Sequence, residues 1–230
     1  MKIISINVAL PKVIVSNGEE VPTGIFKLPV NGPVRVHALN LEGDGQADLA
    51  NHGGPNKAVY AYAWNNAQFW KQTLGRDDLH PGSFGENLTV DEFAEDTVAV
   101  GDELAIGTAR FVVTQPRIPC FKLGIAMGLP AFPKMFLESG RTGFYLRVLD
   151  EGIVRAGDNI QKVDNREPAR VTVRELAAAV QTLQASDDLL RRIRSLRALS
   201  PPMAEWIERK VRARGERLRE NRSQQPTVES

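Results

Sequence analysis

Apolar residues in the first 165 positions come in short runs, at 2–8, 57–62, 109–115 and 142–149. Turn formers separate them: Asn31-Gly32-Pro33, Gly43-Asp44-Gly45, Gly53-Gly54-Pro55 and Pro81-Gly82. Short strands punctuated by glycine and proline predict a barrel or a sandwich. A hairpin is expected to turn at Ile106-Gly107-Thr108-Ala109. A second is expected at Asp150-Glu151-Gly152, joining 147–149 to 153–155. Gly101-Asp102 and Gly157-Asp158 each introduce a further strand, at 103–106 and 159–163. Three helices interrupt this pattern. Trp64, Ala67, Phe69, Trp70 and Leu74 lie near one 3.6-residue stripe that Gly75 ends. Shorter helices are predicted at 121–127 and 131–137, separated by Gly128 and Pro130.

The texture changes after residue 165. Thr172 and Glu175 have capping-box spacing ahead of a stripe of Leu176, Ala179, Val180 and Leu183. Ser186 caps a second helix with Leu189, Leu190, Ile193, Leu196 and Leu199 turned inward. Pro201-Pro202 open a third, which offers Met203, Trp206, Ile207, Val211 and Leu218 for packing. The expected organisation is a strand-rich domain at 1–165, a three-helix domain at 166–222 and a disordered tail at 223–230.

Composition adds exclusions. The chain is 42% hydrophobic and 25% charged, ordinary for a soluble globular protein. No apolar run reaches the roughly 18 residues of a membrane span. The N-terminal Met1-Lys2-Ile3-Ile4-Ser5-Ile6 lacks the apolar core and cleavage site of a signal peptide, so a cytoplasmic location is expected. One cysteine excludes a disulfide framework, and one cysteine with three histidines does not supply a usual closed zinc site. The formal charge of +1 conceals a division. Residues 1–165 hold 15 Lys+Arg against 19 Asp+Glu, whereas 166–222 hold 14 against 8, and Glu229 completes the sum. Arg209, Lys210, Arg212, Arg214, Arg217 and Arg219 alternate with Glu205, Glu208, Glu216 and Glu220, the pattern of a solvated helical face. No aromatic stacking platform or recognition motif accompanies them, so nucleic acid is not an expected partner. Docking of an acidic protein is the other use open to that surface.

Four polar clusters offer chemistry, each with a plain structural alternative. In the first, Asp48 to Lys57, the pair Gly53-Gly54 lets backbone amides approach an anion beside Lys57 and His52; the alternative is a tight turn with a satisfied histidine. In the second, Pro81 to Leu88, Glu86 and Asn87 suit hydrogen bonds to a heterocycle, or simply brace a glycine-rich loop. In the third, Gln115 to Leu123, Cys120 follows a strand end. Arg117, Lys122 and a helix start there favour a thiolate, while a buried small hydrophobe is the alternative. The fourth, Ser139 to Tyr145, sets Arg141 among glycines, a suitable place for an anion.

In order, His52-Gly53-Gly54 with Lys57, Gly82-Ser83-Phe84-Gly85-Glu86-Asn87, Pro119-Cys120 with Lys122-Leu123, and Gly140-Arg141-Thr142-Gly143-Phe144-Tyr145 resemble the MOSC domain. That domain is named after the C-terminal part of molybdenum cofactor sulfurases. Pro22-Thr23-Gly24-Ile25 with Lys27, and Gly43-Asp44-Gly45-Gln46-Ala47-Asp48, fit the same pattern. The helical extension resembles that of the YiiM-type branch, associated with resistance to 6-N-hydroxylaminopurine. The resemblance implies a mainly β, barrel-like domain with inserted helices and a small three-helix C-terminal unit. It also implies a molybdenum-pterin cofactor, with Cys120 as the protein ligand to molybdenum and the catalytic residue. Thr23, Lys27, His52, Gly53, Gly54, Lys57, Glu86, Asn87, Arg117 and Arg141 are the implied cofactor-binding residues, Glu86 and Asn87 with the alternative of bracing the loop.

The implied reaction is reductive removal of oxygen from an N-hydroxylated purine or related compound. Its implied electron donor is a separate flavoprotein reductase. Two other readings stand beside it. One is a carrier of the cofactor or a sulfur-transfer module, although the sulfurase's pyridoxal-phosphate half has no counterpart here. The other is a binding module built on the basic helices.

Overall fold

The computed structural model describes residues 1–47, 53–182 and 185–223. His52 and Leu183 therefore lie outside the described residues, as do 224–230 of the expected tail. In chain order the strands are β1 (Ile3–Val8), β2 (Lys12–Ser16), β3 (Glu19–Thr23), β4 (Leu28–Val30), β5 (Val34–Val36), β6 (Val59–Ala63), β7 (Leu88–Val90), β8 (Glu103–Ile106), β9 (Ala109–Pro116), β10 (Phe144–Asp150), β11 (Gly152–Val154) and β12 (Ile160–Asp164). The helices are α1 (Trp64–Leu74), α2 (Phe121–Met127), α3 (Phe132–Glu138), α4 (Val173–Thr182), α5 (Asp187–Ser195) and α6 (Pro201–Ser223), with a 3-10 turn at Pro55–Lys57.

Eight strands form one sheet in the order β12-β8-β9-β10-β6-β7-β1-β4. Its pairs are antiparallel except β6 with β7, which run parallel and are joined through α1. The sheet does not close into a barrel, and helices and strands contribute comparable shares, so the fold is mixed rather than mainly β. Strand β1 nonetheless meets the start of β12 through an isolated bridge, Lys2 to Asn159, supported by Ile3 N–H donating to Asp158 O at 2.9 Å. A sheet whose second strand touches its opposite edge has coiled back on itself.

Strand alternation divides the interior. Along β6, Val59, Ala61 and Ala63 enter the core enclosed by the sheet, with Phe111, Val113, Phe144 and Leu146. Tyr60 and Tyr62 point the other way, against Trp70 of α1, Leu123 of α2 and Phe132 and Phe136 of α3. A strand covered on both faces is buried throughout, and every residue of β6 is. Farther along the outer face, Val112 of β9 joins Leu176, Ile193, Leu199 and Ile207, so α4, α5 and α6 share a buried cluster with the sheet. Both expected caps form. Thr172 Oγ1 accepts from Glu175 N at 3.1 Å while Glu175 Oε2 accepts from Thr172 N at 2.8 Å, and Ser186 Oγ accepts from Leu189 N at 3.1 Å. Among the described residues no helix is long and apolar enough to cross a membrane.

One local expectation needs correction, and one hairpin is an addition. The hairpin over Asp150-Glu151-Gly152 does not form; β11 pairs with β5 instead. Gly152 lies so close to the Thr108–Ala109 backbone that a Cβ would meet Thr108 C at 2.6 Å, and Ile153 N donates to Thr108 Oγ1 at 2.8 Å. These contacts carry the chain away from β10. The β2–β3 hairpin was not anticipated, although Asn17 and Gly18, both at positive φ, form the Asn-Gly turn that such a hairpin favours.

Candidate functional site

Strand ends and connecting loops converge on one open cleft. Thr23 arrives at the end of β3, and Lys27 on the segment leading to β4. Lys57 comes from the 3-10 turn before β6, Tyr60 from the start of β6, Asn87 from the loop before β7 and Tyr145 from β10. Arg117, Ile118, Cys120 and Lys122 come from the connection between β9 and α2. Thr23, Lys27, Lys57, Asn87, Arg117 and Cys120, expected from sequence, are thus brought together.

One wall is a buried polar chain. Lys27 Nζ donates to Asp44 Oδ1, which also accepts from Ala9 N at 2.9 Å. Asp44 Oδ2 accepts from Asn87 Nδ2 at 2.9 Å, and Asn87 Oδ1 accepts from Tyr60 N at 3.1 Å. Asn87 therefore ties the 44–47 turn to β6 as well as lining the cleft. Burial lowers the pKa of Lys27 more than its Asp44 partner raises it.

The facing wall is aromatic and cationic. The Arg117 guanidinium lies 4.7 Å from the Tyr60 ring centroid, a cation–π geometry, and donates to the Phe84 carbonyl. The Tyr60 hydroxyl donates to Thr142 O at 2.8 Å. Tyr145 stands 5.2 Å from Tyr60, centroid to centroid. Burial raises both phenols above their usual pKa, so both keep their protons at neutral pH. Cys120, half-buried, precedes α2 in extended conformation and lies within the electrostatic influence of Arg117. Lys122 Nζ reaches Pro22 O at 2.9 Å across the mouth.

Other expected residues are placed differently. Glu86 lies under the cleft, its carboxylate taken up by its own loop: it accepts from Gly82 N at 2.7 Å, Phe84 N at 3.1 Å and Thr89 Oγ1 at 2.7 Å. This is the bracing role. Gly54 donates its amide to Gln46 Oε1 at 2.8 Å, which engages that N–H in holding the turn, and neither Gly53 nor Gly54 lines the cleft. Arg141 is outside the cleft: its Nη1 donates to Asn66 Oδ1 at 2.9 Å and its guanidinium covers the Phe69 ring at 4.4 Å. The 142–143 segment still serves the site through Thr142 O. It passes so near β6 that a Cβ on Gly143, φ 62°, would meet Ala61 O at 2.4 Å. Asp44, Tyr60, Tyr145 and Ile118 were not anticipated as lining residues. The Gly43-Asp44-Gly45 turn was a visible signal for the first, and Tyr145 stands at the end of the Gly140–Tyr145 motif; strand pairing places Tyr60 beside it.

Among the described lining residues four basic side chains, Lys27, Lys57, Arg117 and Lys122, face one carboxylate, Asp44, with a thiol beside them. That donor set suits an anionic ligand carrying phosphate together with a soft metal centre that takes one protein thiolate.

Residues 48–161 match the model of the MOSC domain. YflK of Bacillus subtilis, an uncharacterized protein, is 41% identical over 165 residues, 72% of this chain and 74% of its own. Protein YiiM of Escherichia coli is 31% identical over 191 residues, 82% of this chain and 84% of its own. A Gibberella moniliformis protein named Reductase is 32% identical over 154 residues, 66% of this chain and 27% of that longer one. The crystal structure of YiiM from Geobacillus stearothermophilus superposes with a TM-score of 0.76 at 33% identity, covering 91% of this chain and 98% of that one. The chain belongs to the MOSC domain family, in the branch that includes YiiM.

Proposed function

We propose that the chain is a molybdenum-cofactor-dependent oxidoreductase that removes oxygen from N-hydroxylated purines and related compounds. The observation that carries this reading is the gathering of Cys120 with Lys27, Lys57, Arg117 and Lys122 around one cleft. The general association of MOSC domains with molybdenum cofactor, and the Reductase name of one relative, support it.

In this reading Lys57, Arg117 and Lys122 pair with the cofactor's phosphate and Thr23 hydrogen-bonds its heterocycle, while Asn87, whose amide is taken up by Asp44, Asn7 and Tyr60, braces the wall. The Cys120 thiolate is the protein ligand to molybdenum. The bound cofactor supplies two-electron redox chemistry. Reduction of R–NH–OH to R–NH2 takes up two electrons and two protons and releases water. Tyr145, kept protonated by burial, presents a hydroxyl donor to whatever enters the cleft. Asp44 holds Lys27 in place and limits the net positive charge. The electrons are assigned to a separate flavoprotein reductase, docking near exposed Arg209, Lys210 and Arg212 of α6.

The test is molybdenum and pterin analysis of protein from a molybdate-fed, cofactor-competent host, joined to turnover of 6-N-hydroxylaminopurine under an artificial reductant. Stoichiometric metal with turnover is expected. Absence of both overturns the reading, and metal without turnover favours the carrier.

A further inference from the structure

Two side chains buried to 2% exposure, Ser200 and Gln115, meet far from each other in sequence: Ser200 Oγ donates to Gln115 Oε1. Ser200 immediately precedes α6. Its carbonyl accepts from Met203 N and Ala204 N, both at 3.0 Å, and its Oγ accepts from Met203 N at 3.3 Å. The hydroxyl thus caps α6 and grips β9 together. Gln115 is the penultimate residue of β9, opposite Tyr145 in the ladder and two positions before Arg117. A second contact runs beside this one. Ile118 lines the cleft on one side and packs on the other against the cluster of α4, α5 and α6, which contains Leu199, Met203 and Ile207. The stretch 115–118 leads directly to Cys120. It is therefore gripped from behind by the C-terminal helices at both ends, by a hydrogen bond at Gln115 and by apolar packing at Ile118.

We propose that Ser200 is a positioning residue for the site: through Gln115 it ties the start of α6 to the β9 end, and so holds Arg117 against Tyr60 and beside Cys120. The C-terminal helices are then a working part of the cleft, and anything that shifts the start of α6 shifts the Arg117–Cys120 pair. The consequence for turnover rests on the proposed role of Cys120, but the tether itself does not.

Cys120 is the chain's one cysteine, so thiol alkylation reads a single site. The full chain, produced in a host without molybdenum cofactor, is alkylated with anionic iodoacetate and with neutral iodoacetamide. The ratio of the two rates reports the positive field at the thiol and is insensitive to a uniform change in stability. Ser200→Ala and Gln115→Met are expected to lower that ratio by about threefold or more, as the Arg117 charge moves off. Ser200→Thr, which keeps the hydroxyl, is expected to restore the native ratio. Gln115→Met leaves the α6 cap intact and serves if Ser200→Ala does not fold. Native ratios in Gln115→Met and in any folded Ser200→Ala overturn the proposal, as does a Ser200→Thr ratio as low as that of Ser200→Ala. A lowered ratio alongside a failed metal analysis removes the molybdenum reading and leaves the tether standing.

Discussion

Lys27 and Asp44 meet as a buried ion pair in the wall of the cleft, their side chains 8% and 4% exposed. The pair is asymmetric. Asp44 keeps bonds from Ala9 N and Asn87 Nδ2 if Lys27 is lost, whereas Lys27 without Asp44 is a buried cation stripped of its partner. Asp44→Ala is expected to cost about 3–5 kcal/mol, and Lys27→Met, which preserves volume, clearly less. Urea unfolding of both variants checks the order; equal losses would contradict it.

The carboxyl of Glu86 gives a pH dependence of definite sign. Burial raises its folded-state pKa above the ordinary 4.5, outweighing the hydrogen bonds from Gly82, Thr89 and Phe84. A native state that holds its proton to higher pH has extra stability that is complete below 4.5 and is lost as pH rises through the folded pKa. Glu86→Gln has no such titration. The stability of the native protein relative to this variant is therefore expected to be greatest in acid and to decline toward neutrality. Paired unfolding curves from about pH 4 to about pH 8 measure the difference, and a flat one would place Glu86 at its ordinary pKa.

Lys57 and Arg141 belong to the same sequence pattern but should behave differently. Lys57 lines the cleft, while Arg141 bonds Asn66 and covers Phe69 outside it. Lys57→Ala is expected to lower cofactor occupancy about tenfold or more with little change in stability. Arg141→Ala is expected to cost about 1–2 kcal/mol of stability, through the lost hydrogen bond and cation–π contact, and to affect occupancy less. Pterin content per protein and thermal unfolding, measured on both, separate the two roles.

These contrasts mark where local pattern informs and where it stops. The bounds of α1 follow from the Trp64–Trp70–Leu74 stripe and from Gly75, which adopts the left-handed cap at φ 62°. The caps at Thr172 and Ser186 follow from spacing within four residues. The order of motifs along the chain already joins Thr23, Lys27, Lys57, Arg117 and Cys120, which the fold gathers in one cleft. The remaining features depend on contacts between distant segments. The turn at 150–152 has hairpin composition, but pressure of Gly152 on Thr108 sends it to β5. Tyr60 and Tyr145 are ordinary strand residues until the antiparallel pairing of β6 with β10 sets them side by side. Arg141 has the composition of an anion site, and it is Asn66, 75 residues away, that takes its guanidinium.

Cys120 brings stability and function apart most sharply. It is half-buried, and its side chain makes no capping hydrogen bond to α2. The backbone there is extended, at φ −118° and ψ 177°, a conformation open to any residue. Removing the sulfur should therefore disturb packing little. Cys120→Ala is expected to unfold within about 1 kcal/mol of the native protein. A thiolate that completes a metal's coordination has no substitute in the alanine methyl, so reduction of 6-N-hydroxylaminopurine by the same variant should be abolished. Unfolding curves and turnover on one preparation read the two together. A folded, fully active Cys120→Ala would remove Cys120 as the ligand.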